Sequence, residues 1–178
     1  AKWILENIKD SRVLIITDRE ELDEQIEKIF TGVDLNIKRS RSSDNLLKLL
    51  DGYDRLMCSL IHKFGRRTGD VSDLDYEKYV EELKKTIPAD FSVKDKVFVF
   101  VDECHRTNSG KLHLAMKSIM PDSVFAGFTG TPLLKVDKEH KTTATLFGGF
   151  IHTYKFDQAV NDGVVLDLRY EYRDVPQE

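Results

Sequence analysis

Val97-Phe98-Val99-Phe100-Val101-Asp102-Glu103-Cys104-His105 holds the decisive contrast in this sequence. Five β-branched or aromatic residues in a row read as a strand buried on both faces, the kind found in parallel sheets. Two carboxylates follow at once. A charge at the end of a dry strand is costly unless it is paired, hydrogen-bonded or used on a ligand.

Working outward, the same kind of run recurs. Val13-Leu14-Ile15-Ile16-Thr17, Leu56-Met57-Cys58-Ser59-Leu60-Ile61 and Val124-Phe125-Ala126-Gly127-Phe128 read as further buried strands, and Val164 to Tyr172 as a final one. Helical spacing lies between them. Asp18, with Glu21 three residues on, suggests an N-cap and capping box ahead of Leu22, Ile26, Ile29 and Phe30, with Gly32 as the stop. Ser43 with Leu46, Leu47 and Leu50 predicts a short helix ended by Gly52. Tyr76, Tyr79, Val80 and Leu83 predict another, ended by Pro88 after a polar loop over 65–75. Leu112, Ala115, Met116 and Ile119 predict a helix ended by Pro121, and Ala159 and Val160 a short one closed by Gly163. Strands alternating with helices imply βαβ units: an α/β fold with a mostly parallel sheet and helices on both faces.

Length and composition fit one domain over residues 1–178. A chain of 178 residues that is 40% apolar can bury a real core and is not disordered. No apolar run approaches the roughly 18–20 residues of a membrane span, and charges interrupt the apolar positions of residues 1–10, unlike a signal peptide. Two cysteines, Cys58 and Cys104, argue against a disulfide scaffold and fit a reducing, cytoplasmic compartment. With 27 basic against 31 acidic side chains, the net charge of −4 gives no global case for nucleic-acid binding.

In a parallel sheet, ligands sit beyond the carboxyl ends of the strands. Three such ends are unusual here: Thr17-Asp18-Arg19, Asp102-Glu103-Cys104-His105 and Thr129-Gly130-Thr131-Pro132. Nucleotide hydrolysis would give the acid pair a use. One of the two carboxylates, Asp102 or Glu103, would hold Mg²⁺, a hard cation that prefers oxygen, and its neighbour would orient or deprotonate the attacking water. Taken alone, an N-cap carboxylate beside a solvated Glu explains the pair equally well. A zinc–thiolate site at Cys104 and His105 would need three or four ligands, and the only other cysteine is on another strand. Lys63, Arg66 and Arg67 form a small basic cluster after the second strand, which a solvated loop explains just as easily.

Together these segments resemble a known motif set. Asp102-Glu103-Cys104-His105 resembles the D-E-x-H box (motif II, Walker B) of superfamily 2 helicases and translocases. Thr129-Gly130-Thr131-Pro132 resembles their motif III, and Thr17-Asp18-Arg19 their motif Ia. The wider stretches, 13–23, 101–110, 127–133, and Phe147–Tyr154 with Ala159–Gly163, resemble the motor subunits of type I restriction enzymes from about residue 10 to 173. The resemblance implies a RecA-like motor domain of the P-loop NTPase type. Its cofactors would be ATP and Mg²⁺, and Asp102, Glu103 and His105 would lie at the catalytic site. Thr129, Gly130 and Thr131 would couple nucleotide state to DNA grip. Thr17, Asp18, Arg19 and Lys63 would contact double-stranded DNA. Methylation and specificity subunits would be its partners.

The sequence also departs from that set. It has no G-x-x-x-x-G-K-[ST] phosphate loop. At its one Gly-Lys pair, Gly110-Lys111, the earlier glycine is replaced by His105 and the hydroxyl by Leu112. The resemblance therefore implies most of a first motor domain that lacks its phosphate-loop strand. Ala1–Leu5 would be the later part of the helix after that loop, and residues 164–178 a last strand leading to the next domain. Such a piece would hydrolyse ATP negligibly alone. Three alternatives remain open at this level: another superfamily 2 motor such as a type III restriction subunit, a non-catalytic RecA-like docking module, and an unrelated α/β metal hydrolase. The last would need further ligands, and His62, His113, His140 and His152 show no ligand-like spacing.

Overall fold

In the computed structural model of the chain, the described residues are 1–32, 35–64, 81, 85, 87–107, 111–132 and 143–168. They include five strands in one sheet: β1 (Ser11–Thr17), β2 (Lys38–Arg39), β3 (Leu56–Leu60), β4 (Lys96–Val101) and β5 (Val124–Gly127). The order across the sheet is β2-β3-β1-β4-β5, and every pairing is parallel. The α/β fold read from the sequence is the fold the chain adopts. The helices are α1 (Lys2–Asn7), α2 (Glu20–Gly32), α3 (Ser43–Asp51), α4 (Lys111–Ile119), α5 (Thr143–Phe147) and α6 (Phe156–Asn161).

The period of two along each strand splits the core into two layers. Leu14, Ile16, Met57, Val97, Val99 and Val101 point to one face, where Leu46 and Leu50 of α3 and Met116 and Ile119 of α4 cover them. Val13, Leu56 and Cys58 point to the other, with Leu5 of α1 and Ile26 and Phe30 of α2. Leu14, Ile16, Met57 and Val99 are fully buried, and each such side chain stabilises the fold by about 1.5–3 kcal/mol. The crossovers keep one hand. From β1 to β2 the chain moves toward one edge along the α2 face. From β2 to β3 and from β4 to β5 it moves the other way along the α3 and α4 face. Reversing direction while changing face is what a constant crossover hand demands.

Local chemistry sets the helix ends. Ser42 caps α3 by accepting the Asn45 N–H at 3.1 Å, and Asn45 Oδ1 accepts the Arg41 N–H at 3.0 Å. Gly52 closes α3, as the sequence predicts. In α2 the expected cap shifts by one residue. The helix begins at Glu20, and the Arg19 carbonyl accepts the Asp23 N–H, so Asp18 stands ahead of the cap position. Glu20, Glu21 and Asp23 in the first turn favour the positive end of the helix dipole.

Two polar features have no counterpart in the hydropathy pattern. Arg12 lies inside β1 with no exposed surface. Its guanidinium donates to the carbonyls of Asp54 (2.9 Å), Leu50 (2.7 Å), Lys94 (3.1 Å) and Leu49. It thereby satisfies carbonyls at the end of α3 and ties that end to the loop before β4. Burial lowers the Arg12 pKa, opposed by the charges of Asp95 and Asp54. Arg39 of β2 pairs with the fully buried Asp23 and approaches Glu20 and Glu24 at 3.6 Å. The hydrogen bond that Arg39 donates to Asp23 holds the Arg39 pKa above its usual value.

The chain divides into two compact units, Ala1–Gly148 and Gly149–Glu178. In the second, Gly163 (φ 69°) ends α6, with Gly163 N–H on the Val160 carbonyl and Val164 N–H on that of Ala159. The strand predicted over 164–172 is not formed in its described part. Residues 164–168 have no strand pairing, and Leu166 is 91% exposed. An apolar run needs a neighbouring strand as well as the right residues. Residues 169–172, the predicted helix over 76–83 and the loop over 65–75 lie outside the described residues. Among those described, no helix is long and apolar enough to cross a membrane.

Candidate functional site

The parallel order brings the carboxyl ends of β1, β4 and β5 side by side. Ile16 pairs with Val101, and Val101 with Gly127. The residues after these strands are Thr17, Asp102 and Phe128. The chain continues the ladder for one more step: Asp102 N–H donates to the Ile16 carbonyl (2.9 Å) and Phe128 N–H to that of Val101 (2.8 Å). The backbone then turns. Cys104 N–H donates to the Phe128 carbonyl at 3.0 Å, and Cys104–Thr107 forms a 3₁₀ turn.

Glu103, between these two anchored residues, adopts φ 45°. L-residues enter that left-handed region at a cost of about 1–2 kcal/mol, and such outliers persist only where the surroundings fix them. Its carboxylate Oε2 lies 3.2 Å from His105 Nδ1, which also meets Thr129 Oγ1 at 2.7 Å. A carboxylate only accepts, so the approach to Glu103 is attractive when Nδ1 carries a proton. Thr129 Oγ1 accepts the Thr131 N–H at 3.0 Å as well. Asp102, Glu103, His105, Thr129, Gly130 and Thr131 are therefore neighbours in one cluster, linked through His105 and Thr129.

Thr17 is buried beside it, its hydroxyl 3.4 Å from the Arg19 carbonyl, while Arg19 itself is exposed. Asp18 is half-buried between them. Lys63 lies at the end of β3 and ties loops together: its ammonium donates to the Arg41 carbonyl (2.9 Å), and its own carbonyl accepts from Ser43 Oγ (2.8 Å). Arg66 and Arg67 lie outside the described residues.

Cys104 is buried, 1% exposed, and forms no disulfide. Burial, with the charges of Glu103 and Asp102 adding, pushes its pKa up to about 11, so it stays neutral and weakly nucleophilic at ordinary pH. Among the described residues no three His, Cys, Asp or Glu side chains gather as a metal cage. The donor set that Asp102 and Glu103 offer is hard oxygen at a half-buried turn. That suits Mg²⁺, which is commonly held by one or two carboxylates together with substrate phosphates. A separate open cavity of about 530 Å³ lies at the opposite, amino end of the sheet, lined by residues such as Asn7, Ser11, Tyr53, Arg55 and Asp95.

The chain is similar in sequence to known proteins. The chain is 31% identical over 180 residues to the type I restriction enzyme SauCOLORF180P endonuclease subunit of Staphylococcus aureus (strain COL), covering 97% of this chain and 18% of that protein. It is 28% identical over 162 residues to the putative type I restriction enzyme MjaIXP endonuclease subunit of Methanocaldococcus jannaschii, covering 90% and 14%. It is 28% identical over 178 residues to the type I restriction enzyme HindI endonuclease subunit of Haemophilus influenzae, covering 92% and 16%. The chain thus spans less than a fifth of the length of these relatives. A family model described as SWI2/SNF2 ATPase matches residues 1–178. With its parallel sheet and the acid turn at the end of a central strand, the chain belongs to the SWI2/SNF2 ATPase family.

Proposed function

We propose that this chain is most of the first RecA-like motor domain of an ATP-dependent, type I site-specific deoxyribonuclease, where ATP hydrolysis drives translocation of double-stranded DNA before cleavage. One observation carries the reading: the turn bearing Asp102 and Glu103 ends a central parallel strand and is joined through His105 to Thr129. A site that hydrolyses a triphosphate and reports it to a neighbouring loop needs that connection.

Asp102 would hold Mg²⁺, which neutralises charge on the phosphates of ATP. Glu103 would accept a hydrogen bond from the hydrolytic water, with His105 fixing the carboxylate. Thr129, Gly130 and Thr131 would carry the state of that turn to the DNA-facing loops. Thr17, Asp18 and Arg19, at the start of α2, and Lys63 would meet backbone phosphates, which position DNA without reading its sequence. Methylation and specificity subunits would assemble with the whole subunit in the cytoplasm. The 178 residues alone, with no phosphate loop in their sequence, would hydrolyse ATP negligibly.

Changing Glu103 to Gln in the full-length subunit tests the assignment. Steady-state hydrolysis should fall at least about 100-fold, the scale of a lost general base, while binding of a fluorescent ATP analogue persists. Hydrolysis surviving at near wild-type rate would remove Glu103 from the mechanism.

A further inference from the structure

The acid turn is also held by a contact that the His105–Thr129 link does not use. Gly127, the last residue of β5, faces Cys104 across the β4–β5 boundary. A Cβ at position 127 would lie 2.6 Å from Cys104 Sγ, 3.0 Å from Cys104 Cβ and 3.1 Å from Cδ1 of Phe147 in α5. A contact of 2.6 Å is one that real Cβ atoms essentially never make, and the other two are unusually tight. Gly127 has no positive φ, unlike Gly148 and Gly163, so packing demands a glycine here and backbone conformation does not. Residue 104 is therefore gripped twice: its N–H by the Phe128 carbonyl, and its side chain by the slot that Gly127 leaves under Phe147. Glu103 has Asp102 anchored to β1 on one side and Cys104 anchored to Phe128, just after β5, on the other. Fixing both neighbours is what can hold Glu103 at φ 45°.

We propose that Cys104, Gly127 and Phe147 form a steric interlock that positions Glu103 against His105, with the cysteine acting through its size. The proposal rests on the reading of Glu103 as a hydrolytic residue. None of the three need touch the nucleotide, so they are positioning residues. The interlock makes β5 and α5 partners of the acid turn, so a shift in either would move the carboxylate.

The test pairs Gly127→Ala with Cys104→Ala. In the full-length subunit labelled with ¹⁵N-histidine, the imidazole resonances of His105 report its contacts with Glu103 and Thr129. Gly127→Ala should displace them, and adding Cys104→Ala should return them toward the wild-type positions, because the 2.6 Å clash is with Sγ. In the full-length subunit, Gly127→Ala should lower kcat at least about tenfold with KM for ATP little changed, as sub-ångström misplacement does. The double variant should recover most of that loss. If Gly127→Ala misfolds, rescue of folding by Cys104→Ala is the same steric signature. The interlock is overturned if Gly127→Ala leaves both readouts unchanged, or if Cys104→Ala rescues neither. If the resonances behave as expected but Glu103→Gln still hydrolyses ATP, the interlock stands and the hydrolytic reading falls.

Discussion

Arg12 and the Asp102–Glu103 turn sit at opposite ends of neighbouring central strands, and the protein treats their charges in opposite ways. At the amino end of β1, the guanidinium is wholly buried and spends its donors on four backbone carbonyls. At the carboxyl end of β4, the two acids are half-exposed. The contact that the Glu103 carboxylate makes among the described residues is with His105. One end uses polar groups to close the structure. The other holds polar groups ready in a backbone conformation that costs stability. That division is the expected trade between stability and activity.

The sharpest way to break the contrast is chemical. Glu103→Gln should lower hydrolysis by the 100-fold or more given above and change unfolding free energy by no more than about 0.5 kcal/mol, the range of unburied substitutions. A large loss of stability would mean that the acid end is structural too. Next in size is Arg12→Met, which leaves several buried carbonyls without a donor. Urea denaturation should show a loss of about 3 kcal/mol or more. A neutral result would mean that water replaces the guanidinium there.

A third prediction uses pH. The Cys104 thiol is raised from 9.0 to about 11 in the folded state, and burial also raises Cys58 strongly. For a group raised on folding, the stabilisation is complete below the unfolded pKa and lost as pH climbs through the folded one. Stability should therefore decline between pH 9 and pH 11, on the order of 1 kcal/mol per pH unit at most for each thiol. A Cys58→Ala, Cys104→Ala double variant should flatten that decline in urea titrations. The smallest effect expected is from Glu103→Gly. It relieves the left-handed backbone and should raise the thermal midpoint, by the equivalent of about 1 kcal/mol, while hydrolysis is lost. A lower midpoint would show that the φ of Glu103 carries no strain.

Much of this was readable in the residues, for identifiable reasons. Val97–Val101 announced its burial because its two faces are equally apolar. Gly163 announced a helix end because few other residues take up its positive φ as readily. The neighbourhood of Asp102, Glu103, His105 and Thr129 followed from strand-end motifs one βα unit apart in a parallel sheet. Other features were hidden. Lys38–Arg39 is a strand of two charged residues, legible only from its pairing with β3. Arg12 reads as an exposed charge, because its acceptors are carbonyls up to 82 residues away. The slot at Gly127 depends on register between β4 and β5, which hydropathy does not encode. Residues 164–168 are mostly apolar yet unpaired, because hydropathy does not encode a pairing partner.

The sheet order has a last consequence, in time. β1 lies at the centre, yet Ser11 is in register with Lys96. At about 5–20 residues per second on the ribosome, β1 waits roughly 4–17 s for its partner on that side to be made. Through that interval one flank of an apolar strand stays unpaired. Folding dominated by such distant pairings is slow, so the nascent chain is a natural client for chaperones that shield β1 until β4 emerges.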